Sequence, residues 1–140
     1  MSSAPEHEPA ATARDLVQAR ARMRWRVEPG AFCLAGFAAE PSAADLELVR
    51  DGPAQLVREG GETTLLVRAE HAESVRARHP DAALERDLAW IRFELPMAWE
   101  LVGFLALVTG ELAAAGVPLG CVCGHSRDHL FVARRYLPAT

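Results

Sequence analysis

The chain has 140 residues, half of them hydrophobic, and a formal net charge of −4. That suffices for one ordinary domain, or for two small halves sharing a core, and the acidic balance argues against nucleic acid as a partner. Its three cysteines are too few, and odd in number, for a disulfide framework, which points to a reducing, cytoplasmic setting. The first residues carry Glu6, Glu8 and prolines where an export signal needs a basic and then an apolar run. The longest strongly apolar stretch, Leu101 to Val108, falls far short of the roughly 20 residues that span a bilayer, so no membrane partner is expected.

Residues 1 to about 11 are Ala, Pro, Ser and Glu without periodicity and read as a loose tail. The segment TARDLVQARARM predicts a short amphipathic helix with Thr12 as its cap. Arg14, Arg20, Arg22, Arg24 and Arg26 cluster there; such a group can hold phosphates, but in an acidic chain it reads as a solvated face. Together, residues 1–22 form a tail and short helix ahead of the first half.

A turn at Glu28-Pro29-Gly30 precedes a buried strand from Ala31 to Phe37. Pro41-Ser42 then caps a two-turn helix, AADLELVR, ending at Asp51-Gly52. Next comes a hairpin, QLVRE and ETTLLVR, whose Gly60-Gly61 turn supplies the positive φ that tight turns need. Glu70 to His79 predicts a helix stopped by Pro80, with His71 and His79 solvated at its ends.

Arg86 to Leu95 alternates, with Ala89, Ile91, Phe93 and Leu95 toward a core and Arg92 and Glu94 away from it. From residue 98 to 115 the period becomes helical, through Leu101, Phe104, Leu105, Val108 and Leu112. Gly116 closes that helix and Pro118 prevents its continuation. Strands at 118–123 and 128–133 follow, joined through GHSRD. The order is βαββα-βαββ, which predicts an α+β fold of two ferredoxin-like halves at 23–85 and 86–140. The sheet is expected to be mainly antiparallel with helices on one face, the second half being truncated at its C-terminus.

The wording at the joints carries a resemblance. Gly103-Phe104-Leu105-Ala106, Leu112-Ala113-Ala114-Ala115-Gly116-Val117 and Asp128-His129-Leu130-Phe131-Val132 resemble the GxLA, LAEAGI and DHxxV segments of ACT-domain proteins. In the first half, Pro29-Gly30-Ala31-Phe32 and the hairpin from Arg58 to Val67 are similar as well. The chain resembles the small stand-alone bacterial ACT proteins built of two ACT-like (βαββαβ) halves. The Asp-His ending of the hairpin also resembles that of the cytosolic arginine sensors of animal cells.

The resemblance implies a non-catalytic sensor. A small ligand, an amino acid foremost, would lie between halves or subunits, held by the loop leading into the helix and by the last hairpin. Carried onto this chain, the ligand-binding residues are Met97, Ala98, Trp99, Glu100, Gly103, His125, Ser126 and Asp128. Free amide groups near Ala98 to Leu101 would favour a carboxylate, Asp128 would hold an ammonium, and Gly103 would allow close approach. Glu100 opposes a carboxylate there unless it faces away or selects a cationic ligand. Asp128 has a plainer reading too, as a residue that bonds turn amides. Resemblance further implies a homodimer and an effector protein through which binding is read out.

Other readings stand beside this one. Trp99 and Glu100 in the critical loop fit a dimerisation or interaction module whose pocket has been lost. Cys121, Cys123, His125 and His129 spell C-x-C-x-H-x₃-H, a set of zinc-compatible donors, although zinc sites prefer C-x₂₋₄-C and small cysteines also pack as core residues. Cys123, His125 and Asp128 imitate a catalytic triplet, but any polar hairpin yields one, and no nucleotide or hydrolase motif is present. No enzyme activity and no cofactor are expected. Trp25, Trp90 and Trp99 read as core or interface anchors, Trp99 also as a pocket wall.

Overall fold

The computed structural model describes residues 11–139; the expected loose tail lies outside the described residues but for Ala11. Helix α1 (Leu16–Arg22) is capped by Asp15, whose carboxylate accepts from the Gln18 amide at 2.9 Å. Thr12 is not the cap, because the helix begins only at Leu16. Ala13 pairs in parallel with Met97, donating to the Pro96 carbonyl and accepting from the Ala98 amide, each at 2.8 Å.

Strands β1 (Trp25–Val27) and β2 (Phe32–Phe37) lead to α2 (Ala43–Leu48), the hairpin β3 (Gln55–Glu59) and β4 (Glu62–Arg68), and α3 (Ala72–Arg78). The second half comprises β5 (Ala83–Phe93), α4 (Phe104–Ala114), β6 (Leu119–Cys123) and β7 (Asp128–Ala133). After α1 and β1, the order is the expected one. All pairings between strands are antiparallel, in one sheet ordered β3-β4-β2-β5-β7-β6, with β1 alongside β5. A 3₁₀ turn (Arg134–Ala139) follows β7, and its Tyr136 and Leu137 pack on the core of the second half.

The anticipated boundary between residues 85 and 86 falls inside β5, which serves both halves. Leu34 pairs with Glu85 but Phe32 with Leu88, so β5 carries one extra residue there, and Asp87 takes φ +55°. A bulge of this kind reverses the alternation of a strand. Leu84 before it and Ala89, Ile91 and Phe93 after it therefore face the same side. That side carries the helices. Phe104 and Leu112 of α4 cover one part, and Val75 of α3 covers Ala35, Phe37, Leu65 and Val67.

The opposite face is also buried, which alternation in β5 did not suggest. Phe32, Leu66, Trp90 and Phe131 cluster there, with Trp90 4.6 Å from Phe131 and 5.2 Å from Phe32 in edge-on geometry. The sheet curls around them, and residues of both terminal strands, β3 and β6, line one groove of about 260 Å³. Curvature, rather than a second helical layer, removes this aromatic surface from water.

A polar lock holds α2 to α3. Ser42 and Asp45 form a reciprocal capping box, as the sequence places the cap. Asp45 is fully buried and also receives Arg78 Nε at 2.9 Å and His79 Nε2 at 2.7 Å. His79 is therefore not solvated: it lies stacked on Phe37, with ring centroids 3.7 Å apart. The helix stops at Arg78, and the turn before Pro80 tucks the ring inward instead of leaving it on the helix surface. His71 stays partly exposed beside Glu70.

Burial alone would push the Asp45 carboxyl up. The bonds from His79, the Ser42 amide, Arg78 and the Ser42 hydroxyl outweigh it and hold the group at about 2, from an ordinary 3.8. A carboxyl depressed in the folded state stabilises it above the unfolded value and loses that contribution as pH falls through the folded one, here on the order of 2 kcal/mol. Asp45→Ala is expected to cost about 3 kcal/mol at neutral pH, and to abolish this part of the acid dependence between about pH 4 and pH 2. Urea unfolding of both proteins across that range checks it; parallel acid profiles would show that Asp45 is not the group responsible.

Candidate functional site

The helical period after β5 suggests a helix from residue 98, but α4 starts only at Phe104. Gly103 stands before it at φ +95°, a conformation that side chains resist, and Leu107 makes the first helical bond to its carbonyl at 2.9 Å. Residues 95–103 instead form a loop fastened on two sides. The Met97 amide donates to the Ser126 carbonyl at 2.9 Å, and Ala13 brackets the loop through Pro96 and Ala98. The free amides at the start of α4 are therefore those of Phe104 to Ala106, not Ala98 to Leu101. Close approach at Gly103 comes from within the protein: a Cβ there would sit 3.3 Å from Leu16 Cδ2.

The facing wall is the β6–β7 turn. The Gly124 amide donates to the Arg127 carbonyl at 2.8 Å, and a Cβ on Gly124 would lie 3.1 Å from that oxygen, so only glycine closes this turn without displacement. Loop and turn enclose a cleft of about 370 Å³. Met97, Ala98, Trp99, Gly103, His125, Ser126 and Asp128 all line it, as the sequence reading groups them; Glu100 does not. The expected conflict between Glu100 and a bound carboxylate therefore disappears. Trp99 stands at the rim, 82% exposed, and is neither a core residue nor a closed wall.

Arg127 was not among the expected residues, yet it lines the cleft. Its Nε is shielded from solvent without a hydrogen-bond partner, and its guanidinium makes no ion pair among the described residues. Asp128, its neighbour, makes none either; it lies across the strand pair from Cys123. The only sequence signal for Arg127 is its place in the turn directly before Asp128.

The four-donor metal reading fails on strand geometry. Cys121 and Cys123 pair with Leu130 and Asp128 and share their face, while His129 pairs with Val122 on the other. His129 Nδ1 accepts from Trp90 Nε1 at 3.1 Å, and its pKa is lowered, first by loss of water and then by Arg92. Among the described residues, no three His, Cys, Asp or Glu side chains converge to hold a metal ion. Nor are the two cysteines core residues: both are exposed, and only Cys33 is buried. The third tryptophan, Trp25, is half exposed beside an apolar cleft of about 420 Å³ between α4 and β1.

Cys123 is the reverse of an activated nucleophile. Partial loss of water and then the Asp128 carboxylate push its thiol up to about 12. Iodoacetamide at about pH 8 should therefore modify native Cys123 much more slowly than the unfolded chain, and Asp128→Asn should accelerate it. Peptide mass spectrometry over time would read this, with Cys33 protected throughout. Rapid native labelling of Cys123 would contradict the assignment.

No protein-family profile matches the chain, and no curated protein matches it by sequence. Solved structures do share its fold. A protein from Agrobacterium tumefaciens superposes with a TM-score of 0.67 at 21% identity, over 84% of this chain and 82% of that one. A Vibrio cholerae protein of unknown function, described as a possible transport protein, gives 0.61 at 23%, over 84% of each chain. The ligand-free regulatory subunit of aspartate kinase from Thermus thermophilus gives 0.58 at 14%, over 82% of this chain and 90% of that one. At these identities the likeness concerns architecture alone. The chain has the ACT-like fold of regulatory domains, as its motifs imply, and among the described residues no helix is long and apolar enough to cross a membrane.

Proposed function

We propose that this chain is a non-catalytic regulatory module that binds a free amino acid in the cleft between the α4 loop and the β6–β7 turn. One observation carries the reading. Arg127 and Asp128, adjacent and oppositely charged, line the same small cleft, and neither is ion-paired among the described residues. Leaving a guanidinium partly out of water without a partner is costly, and a ligand carboxylate would offset that cost. Asp128 takes the ammonium group, and the amides at the start of α4 add to the attraction for the carboxylate. A zwitterion satisfies both charges at once. The likeness to aspartate kinase regulatory domains supports a regulatory role for such binding.

Binding would act by favouring one arrangement of the cleft walls, since a ligand shifts only states that it binds unequally. The output passes through a second copy of the chain or an effector protein, in the cytoplasm.

A thermal-shift panel of the twenty amino acids tests the proposal. Ligand at about 100 times its dissociation constant adds about 2.7 kcal/mol and raises Tm by several degrees. One amino acid should stand out, and both Arg127→Ala and Asp128→Ala should abolish its shift while leaving the unliganded Tm nearly unchanged. A flat panel on native protein would overturn the free-amino-acid reading.

A second reading has its own support. Trp99 at the cleft rim and Val102, three residues further along the same loop, are each 82% exposed and suit a protein-interaction surface. If the module works by self-association through this rim, Trp99→Ser should turn a dimer into a monomer in sedimentation equilibrium. A monomeric wild-type protein would dismiss that version.

A further inference from the structure

The exposed cysteines on β6 remain unexplained by any reading of the cleft. β6 is a terminal strand, and nothing among the described residues pairs with its outer edge. Cys121 and Cys123 occupy alternate positions on it and project to the same side. Both residues are exposed. We propose that Cys121 and Cys123 together form a two-coordinate site for a soft monovalent cation, copper(I) being the type.

Geometry selects this occupant over the obvious rivals. Alternate residues of a strand have Cα atoms about 6.6 Å apart, at the long end of what a disulfide tolerates and beyond its preferred separation of about 5.5–6 Å. A disulfide here would pull the edge strand out of shape. A linear sulfur–metal–sulfur unit replaces the one S–S bond by two metal–sulfur bonds, so its sulfurs stand roughly twice as far apart and it fits the same spacing with the strand intact. Structural zinc requires four ligands; Asp128 is the acidic side chain across from Cys123, and among the described residues no group of three His, Cys, Asp or Glu side chains is placed to hold an ion. Hard divalent ions prefer oxygen ligands. What remains is a thiophilic ion content with two ligands.

The electrostatics agree. Asp128 lies directly across the strand pair from Cys123, so a carboxylate accompanies the sulfurs. On binding, both thiols release their protons to water and the ion is held as a bis-thiolate. The carboxylate helps to keep the cation, and no oxidant or reductant is consumed. The site shares Asp128 and the Cys123 wall with the proposed amino-acid cleft, but its ligands are the two thiols, so loss of copper(I) binding and loss of amino-acid binding are read separately.

The test is an anaerobic competition in which the reduced, full-length protein withdraws copper(I) from the coloured chelator bicinchoninate. One ion per chain is expected, with zinc left on a parallel indicator. Cys121→Ser and Cys123→Ser should each weaken copper(I) binding by more than about 100-fold, since a primary ligand matters more than an outer-shell partner. Cys33→Ser, altering a buried thiol, should change nothing. Native protein blocked at its exposed thiols with methyl methanethiosulfonate provides a check without mutation and should also fail to bind. Three results would overturn the site: wild-type protein unable to compete, either serine variant retaining wild-type affinity, or one ion shared between two chains.

Discussion

The architecture depends on β5, one strand of eleven residues that belongs to both halves, and on the extra residue it carries at Arg86–Asp87. Side chains on a strand alternate faces, so without that residue Leu84 would share a face with Leu88 and Trp90. The two halves would then present their helical cores on opposite sides. With it, Leu84 joins Ala89, Ile91 and Phe93 beneath the helices, while Leu88 and Trp90 turn together to the other side. Asp87 accepts an uncommon left-handed backbone to achieve this, a cost of roughly 1–2 kcal/mol that the packing on both faces far exceeds.

From that phase follows the second face, where Trp90 sits among Phe32, Leu66 and Phe131 and donates its indole N–H to His129. This bond does more than satisfy a buried donor. It holds the His129 ring on the curled side of the sheet, where strand alternation places it, on the opposite face from the cysteines one register position to either side. The remaining polar groups of the hairpin, at its turn, are left to face the α4 loop. A core interaction thus decides which hairpin residues reach the cleft.

The cleft is held by few bonds. Ala13 ties the N-terminal segment to Pro96 and Ala98, and Met97 ties the loop to Ser126. Two glycines make the approach possible, Gly103 by its positive φ beneath Leu16 and Gly124 by its contact with the Arg127 carbonyl. Three segments distant in sequence meet there through a handful of backbone hydrogen bonds, each a net contribution of only about 1 kcal/mol. Such a junction can shift locally without disturbing either core.

The sequence by itself determined whatever rests on local chemistry. The Gly60-Gly61 hairpin, the Ser42 cap and the helix end at Gly116 are each dictated by a residue and its immediate neighbours, and the order of elements follows from them. Grouping the α4 loop with the β6–β7 turn was also legible, through segments that resemble ACT proteins. Only the tertiary structure decided the rest. Asp45 and His79 read as ordinary helix-end polar residues until the packing of α2 against α3 buries both. Helical periodicity ran on to residue 98 because Met97 to Val102 are mostly apolar; Gly103, Ala13 and Ser126 together set the true start of α4. The bulge at Asp87 leaves no mark in the alternation, since a strand's phase is fixed by its partners. Arg127 gained its standing from the surrounding cleft, because whether a charge lacks a partner depends on every group near it in space and not on its place in the chain.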